Sequence, residues 1–236
     1  MIHLTINDRS VEVHEDRTLL EACREHDIYI PTLCFHPALE PYGGCRLCMV
    51  EVSQSQQRPR LVAACVHPCQ VGMVIKTDSE AVLQSRRITV ELLLAGAHND
   101  PGILALAEEL GVENVRFKMP DENACVLCGL CVRACHEIVG VGAISMINRG
   151  ISKEVSPPFH VGSPACIGCG TCVLICPTNA IKLQDVTSFR SIHPTASIYD
   201  RVYCQVCEDT DPSVVVFTDF DALREVETSR SDNHHE

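Results

Sequence analysis

Tryptophan is absent from this chain, and phenylalanine and tyrosine together make up only 4% of its 236 residues. Large aromatic rings bury more area than other side chains, so small lobes without them need another source of cohesion. No stretch approaches the roughly 18 consecutive apolar residues of a membrane-spanning helix. The opening segment MIHLTINDRSVEV alternates apolar and polar residues and lacks the apolar core of a secretory leader. Basic residues are also scarce: 19 Lys and Arg face 31 Asp and Glu, for a formal net charge of −12. That balance argues against a nucleic-acid or anionic-membrane surface.

What the chain has in excess is cysteine, with sixteen copies. Such a count belongs either to disulfide scaffolds or to metal proteins. With no secretory leader visible, a reducing cytoplasmic setting is expected, where thiols bind metals or stay free. Metal ligation would supply the missing cohesion, because ligand-binding energy then becomes folding energy.

Four segments are expected. Residues 1–77 read as a small α/β unit. Ile2, Leu4 and Ile6 alternate with polar neighbours, as do Val11 and Val13, and Asn7-Asp8 offers a turn between them. Thr18 with Glu21 has capping-box spacing and opens a helix that presents Leu19, Leu20 and Cys23 on one face. Pro31 then forces an extended exit. Residues 78–118 read as helical. Thr77 and Glu80 repeat the capping spacing, Val82, Leu83, Val90, Leu93 and Leu94 supply apolar stripes, and Gly96 marks the stop. A second helix opens at Asp100-Pro101 and ends at Gly111. Residues 119–183 carry a duplicated cysteine run, and 184–236 form an extension with a strand expected at 214–217 and a disordered end.

The duplication is the strongest signal. Cys125, Cys128, Cys131 and Cys135 are spaced C-x2-C-x2-C-x3-C, and Cys166, Cys169, Cys172 and Cys176 repeat that spacing before Pro177. This is the bacterial ferredoxin pattern for [4Fe–4S] clusters, in which the fourth cysteine of each run ligates the other cluster. Three closely spaced thiolates let one tight loop wrap three corners of a cube. The fourth points away. Cys125, Cys128, Cys131 and Cys176 are therefore expected to hold one cluster, and Cys135, Cys166, Cys169 and Cys172 the other. Paired zinc sites are the competing reading, and zinc rarely uses a doubled quartet of this kind. His136 stands where the first run would usually carry proline.

Cys34, Cys45, Cys48 and Cys65 form a third group, spaced C-x10-C-x2-C-x16-C behind Gly43-Gly44. Glycine lets the backbone come close to sulfur and donate N–H hydrogen bonds. Spacing alone leaves zinc and [2Fe–2S] both open, because the plant-type pattern has a shorter first gap.

The segments IPTLCFHPALEPYGGCRLCMVEV and LVAACVHPCQVGMVIKTDSE closely resemble the N-terminus of the NADH-quinone oxidoreductase 75-kDa (G) subunit family. That family includes the diaphorase small subunits of NAD-linked hydrogenases. The resemblance covers about residues 1–183. It implies an α+β architecture: an N-terminal β-grasp [2Fe–2S] ferredoxin domain, a short helical linker, and a C-terminal bacterial-type 2[4Fe–4S] ferredoxin domain. It places the [2Fe–2S] ligands at Cys34, Cys45, Cys48 and Cys65, with Cys69 as a substitute for the last. Most members carry one more [4Fe–4S] site between the domains, in H-x3-C-x2-C-x5-C spacing. Here His98 survives, Gly102 stands at the first cysteine position, and no cysteine lies between Cys69 and Cys125. That cluster is expected to be missing, with His98 a plain helix-end residue.

By resemblance the partners are a flavin- and NAD(P)-binding subunit and a terminal catalytic redox subunit. The chain itself would relay single electrons between them and convert no organic substrate. No G-x-G-x-x-G follows a strand, no Walker sequence occurs, and Gly140-Val141-Gly142 is too short to count. A free polyferredoxin carrier and a zinc scaffold are the alternatives. Cys23 reads as core packing, and Cys204 with Cys207 as a possible extra metal site that two ligands alone cannot close.

Overall fold

The computed structural model describes residues 1–54, 58–117, 119, 124–160 and 162–181. These fall into two compact units, Met1–Leu130 with Asn148–Glu154, and Cys131–Ile147 with 155–181. The strand expected at 214–217, the C-terminal end, and Cys204 and Cys207 lie outside the described residues.

The first unit begins with the hairpin of β1 (Ile2–Ile6) and β2 (Arg9–Val13). Asn7 and Asp8 join them with φ of 47° and 66°. Two successive left-handed residues make the primed turn whose twist matches paired strands. Helix α1 (Leu19–Glu25) follows, and its capping box forms as expected: the Thr18 hydroxyl accepts from the Glu21 N–H, and the Glu21 carboxylate accepts from the Thr18 N–H. Leu19, Leu20 and Cys23 are fully buried on its inner face. Strands β3 (Met49–Gln54), β4 (Arg60–Ala63) and β5 (Met73–Lys76) complete a five-stranded sheet ordered β2-β1-β5-β3-β4. Only the β1–β5 pair is parallel. A mixed sheet grasping one helix is the β-grasp arrangement, and Ile6, Leu19, Leu20 and Ile75 pack at its centre.

Helix α2 (Glu80–Gly96) stops at the expected glycine, but its cap differs from expectation. Ser79, not Thr77, accepts from the Val82 N–H. Thr77 is taken by a partner 70 residues away: its hydroxyl accepts from the Asn7 amide at 2.7 Å, and its N–H donates back to Asn7 at 2.9 Å. That pair ties the first hairpin turn to the end of β5. Helix α3 (Pro101–Leu110) opens on Asp100 with proline at its start and closes on Gly111 at φ 67°, as read from the sequence. Ile103, Ala107 and Leu110 pack with Val90, Leu94 and Leu47 in a second core. Leu47 lies between Cys45 and Cys48, so α2 and α3 brace the loop that carries those two thiols.

Beyond α3 the chain is held by Glu91. Its carboxylate accepts from the Arg116 backbone N–H and, in a forked pair, from the guanidinium at 2.7–3.1 Å. These hydrogen bonds hold the Glu91 carboxyl below the usual carboxylate range. The stabilisation is therefore present above the unfolded value of about 4.3 and fades as pH falls through the lower folded value. Glu91→Gln is expected to speed amide exchange at Arg116 at neutral pH, with wild type approaching the variant only in acid.

In the second unit, α4 (Leu130–Arg133) runs into a wide π turn over Ala134–Ile138. Strands β6 (Ser145–Ile147) and β7 (Glu154–Ser156) form a two-stranded sheet, and α5 (Thr171–Leu174) carries the second run. The two runs share a spacing but not a backbone. Pro177 cannot donate to a helical ladder, and α5 ends three residues before it. His136 allows the first run to continue through Ile138, with the Val139 N–H reaching the Ala134 carbonyl at 3.1 Å.

Candidate metal centres

Cys34 arrives from the loop after α1, Cys45 and Cys48 from the loop entering β3, and Cys65 from the turn leaving β4. The fold brings all four together. The Cys45 N–H donates to the Cys34 sulfur at 3.4 Å, and the Cys48 and Cys65 sulfurs lie 3.4 Å apart across a shared hydrogen bond. Cys34, Cys48 and Cys65 are buried, and Cys45 is half-buried. The sulfurs are ringed by backbone N–H groups. Gly44 points one at Cys34, Leu47 one at Cys45 and Gly43 one at Cys65. Gly43 does this at φ +66°, and a Cβ there would meet both Val66 methyls at 3.1–3.2 Å. The glycine pair expected from the sequence thus serves the thiol sulfurs.

The same geometry divides the thiols into proton-sharing pairs. The hydrogen bond from Cys34 lowers Cys45 to about 5 and holds Cys34 up. The bond shared with Cys65 lowers Cys48 to about 7 and holds Cys65 up. Thiolates are the form of cysteine that ligates metals. Cys69 is elsewhere. It lies in the sheet core, its N–H bonded to the Arg17 carbonyl at 2.9 Å, and burial pushes its thiol up to about 11.

In the second unit, Cys135 lines one cavity together with Cys166, Cys169 and Cys172. Apolar Val139, Ile144 and Ile167 form the rest of its wall. Cys166 and Cys172 both feel the Cys169 and Cys135 thiols, and burial pushes Cys172 up to about 12. The fourth cysteine of the first run thus stands with the first three of the second. Its sulfur accepts from the Ala143 N–H at 3.3 Å, as the Cys176 sulfur does from Ala180. Among the described residues no three His, Cys, Asp or Glu side chains converge as ligands of a single metal ion. Cys135, Cys166, Cys169 and Cys172 line one cavity. Cys125 and Cys128 are half-buried in the first unit, and Cys131 is buried and Cys176 half-buried in the second.

Known proteins match both halves. A 2Fe-2S iron-sulfur cluster binding domain matches residues 1–80, and 4Fe-4S dicluster domains match 118–177 and 165–218. The NADP-reducing hydrogenase subunit HndD of Solidesulfovibrio fructosivorans is 32% identical over 77% of this chain and 36% of its own. The alpha subunit of the NADPH-Fe(3+) oxidoreductase of Geobacter sulfurreducens is 34% identical over 77% of this chain and 24% of its own. The G 2 subunit of the NADH-quinone oxidoreductase of Rhizobium meliloti is 30% identical over 77% and 24%. The crystal structure of an NAD+-reducing [NiFe]-hydrogenase in the H2-reduced state superposes with a TM-score of 0.57 at 32% identity, over 66% of this chain and 75% of that one. The chain belongs to the 75-kDa family of NADH-quinone oxidoreductase and NAD(P)-linked hydrogenase subunits.

Within that family it spans about a quarter to a third of the length of the curated relatives named above. It carries one [2Fe–2S] and two [4Fe–4S] clusters, on an N-terminal 2Fe-2S domain and a C-terminal dicluster region. At the family's additional His-and-cysteine site, the three cysteine positions hold Gly102, Ala105 and Gly111. Gly102 and Ala105 lie in α3, and Gly111 is its left-handed cap. His98 follows the end of α2, its ring 3.0 Å from the Asn99 amide. Among the described residues no helix is long and apolar enough to cross a membrane.

One residue next to the first site was not read from the sequence. Arg86 occupies the inner stripe of α2 between Val82 and Val90, and is only 5% exposed. The signal was available: positions 82, 86, 90 and 94 step by four along one face, so a charge at 86 points inward.

Proposed function

We infer that this chain is the electron-relay subunit of a multi-subunit, NAD(P)-linked oxidoreductase in the cytoplasm. It passes single electrons between a flavin- and NAD(P)-binding subunit and a terminal catalytic redox subunit. The observation that carries this reading is the order of its parts. A [2Fe–2S] domain precedes a dicluster domain on one chain, and that chain is similar to subunits named for an NADP-reducing hydrogenase, an NADPH-Fe(3+) oxidoreductase and an NADH-quinone oxidoreductase.

The ligand sets proposed are Cys34, Cys45, Cys48 and Cys65 for [2Fe–2S], and Cys125, Cys128, Cys131 and Cys176 for one [4Fe–4S]. Cys135, Cys166, Cys169 and Cys172 take the other. The convergence of the first set and the shared cavity of the third support the assignment; the second rests on spacing. The proposed boundaries are 1–77, 78–118, 119–183 and 184–236. When bound, the clusters supply one-electron oxidation and reduction. The chain's own residues do the rest: thiolates anchor, N–H groups offset negative charge at sulfur, and burial sets the local dielectric.

Full-length tagged protein, purified anaerobically from its own cells, tests the reading. Expected are a brown complex containing a flavoprotein, reduction of its iron–sulfur EPR signals by NADH or NADPH, and about ten irons per chain. A chain that purifies alone and is reduced without a flavoprotein would be a free polyferredoxin. Colourless, zinc-containing protein would overturn the assignment of clusters altogether. An iron content near fourteen would add a cluster at Cys204 and Cys207 to the same relay.

A further inference from the structure

A guanidinium is the least deprotonable group in proteins, and burying one without an ionic partner is costly. Arg86 is buried, and among the described residues no carboxylate pairs with it. Among the described residues its one hydrogen bond runs to the carbonyl of Met49 at 2.8 Å, the residue next to Cys48, and its buried Nε has no partner there. Burial pulls its pKa down; Cys48 leads the groups that push it back, ahead of Glu109, Tyr29 and Asp78. The buried cation thus reaches the backbone of the loop that carries a cluster ligand.

A [2Fe–2S] cluster held by four thiolates is a net anion, and reduction adds one further negative charge. We propose that Arg86 is the built-in counter-ion of the [2Fe–2S] site, positioned through Met49 to stabilise the reduced cluster and raise its potential. The cluster's charge complements a guanidinium that no described carboxylate reaches at ion-pair distance. In return, the low-dielectric setting makes the guanidinium weigh most on the form with the extra electron. One electron arrives, no proton is required, and the permanent cation next to Cys48 offsets part of the added charge. Arg86 is a positioning residue, since it acts on the cluster through charge and through the Met49 carbonyl.

The proposal rests on the [2Fe–2S] assignment at Cys48 and not on the identity of the partner subunits. The test is an EPR-monitored redox titration of the full-length, cluster-loaded chain carrying Arg86→Gln or Arg86→Lys. The [4Fe–4S] signals in the same sample serve as internal references. Arg86→Gln, which keeps a donor for Met49 and removes the charge, should destabilise the reduced cluster about tenfold relative to the oxidised one. That is a fall of about 59 mV for a one-electron couple. Arg86→Lys should stay near wild type, and the references should not move. If Arg86→Gln fails to assemble the cluster, Arg86→Met is the neutral variant to titrate. An unchanged midpoint in the neutral variant, or an equal fall in Arg86→Lys, would overturn the proposal by showing that packing alone is at stake. Absence of any [2Fe–2S] signal in wild type would instead overturn the cluster assignment.

Discussion

Cys135→Ala is expected to remove the [4Fe–4S] cluster of Cys166, Cys169 and Cys172, and to spare that of its own sequence neighbours Cys125, Cys128 and Cys131. The reason is spatial. Cys135 lines the same cavity as the three cysteines of the second run, and its charge is felt at both Cys166 and Cys172. The wide turn over Ala134–Ile138 carries it there, and the Ala143 N–H fixes its sulfur. Iron should drop from about ten to about six per chain, with one of the two reduced [4Fe–4S] EPR signals lost. Alanine is the right replacement, because a serine oxygen could still ligate. Cys176→Ala should have the reciprocal effect and remove the cluster of the first run. Retention of the Cys166 cluster with loss of the Cys125 cluster in Cys135→Ala would refute the crossed assignment.

The second large effect separates two cysteines four residues apart. Cys65→Ala should abolish the [2Fe–2S] signal and about two irons per chain, whereas Cys69→Ala should keep both. Cys65 shares a hydrogen bond with Cys48, accepts from the Gly43 N–H and is electrostatically linked to Cys34. Cys69 instead lies beside Cys23, near Glu21 and Glu25, and burial holds both thiols protonated, at about 11 and about 12. Removing one buried sulfur leaves a small cavity, so Cys69→Ala should cost stability on the order of 1 kcal/mol without touching the cluster. Thermal unfolding and EPR on the same sample read the two effects separately. A Cys69→Ala protein without the [2Fe–2S] signal would hand the fourth position to Cys69.

Local chemistry was legible where the partner lay a few residues away. The Asn7-Asp8 turn, the Thr18–Glu21 box, the Asp100-Pro101 start and the Gly111 stop each depend on bonds within one turn of chain, and each forms as read. Thr77 shows where that reasoning fails. Two hydroxyls, Thr77 and Ser79, could have capped α2. The choice fell to Asn7, which no local pattern connects to residue 77.

Cysteine spacing by itself determined the kind of cofactor in the two runs and predicted the crossing of their fourth ligands, because a cube needs three closely spaced thiolates and one remote one. Position along the chain could not decide between Cys65 and Cys69, nor show that an arginine lies under the Cys48 loop. Those depend on how the β-grasp sheet and α2 close on each other. Burial, the direction of a backbone N–H and the charge near a thiol are set by residues distant in sequence, so they exist only once the chain has folded.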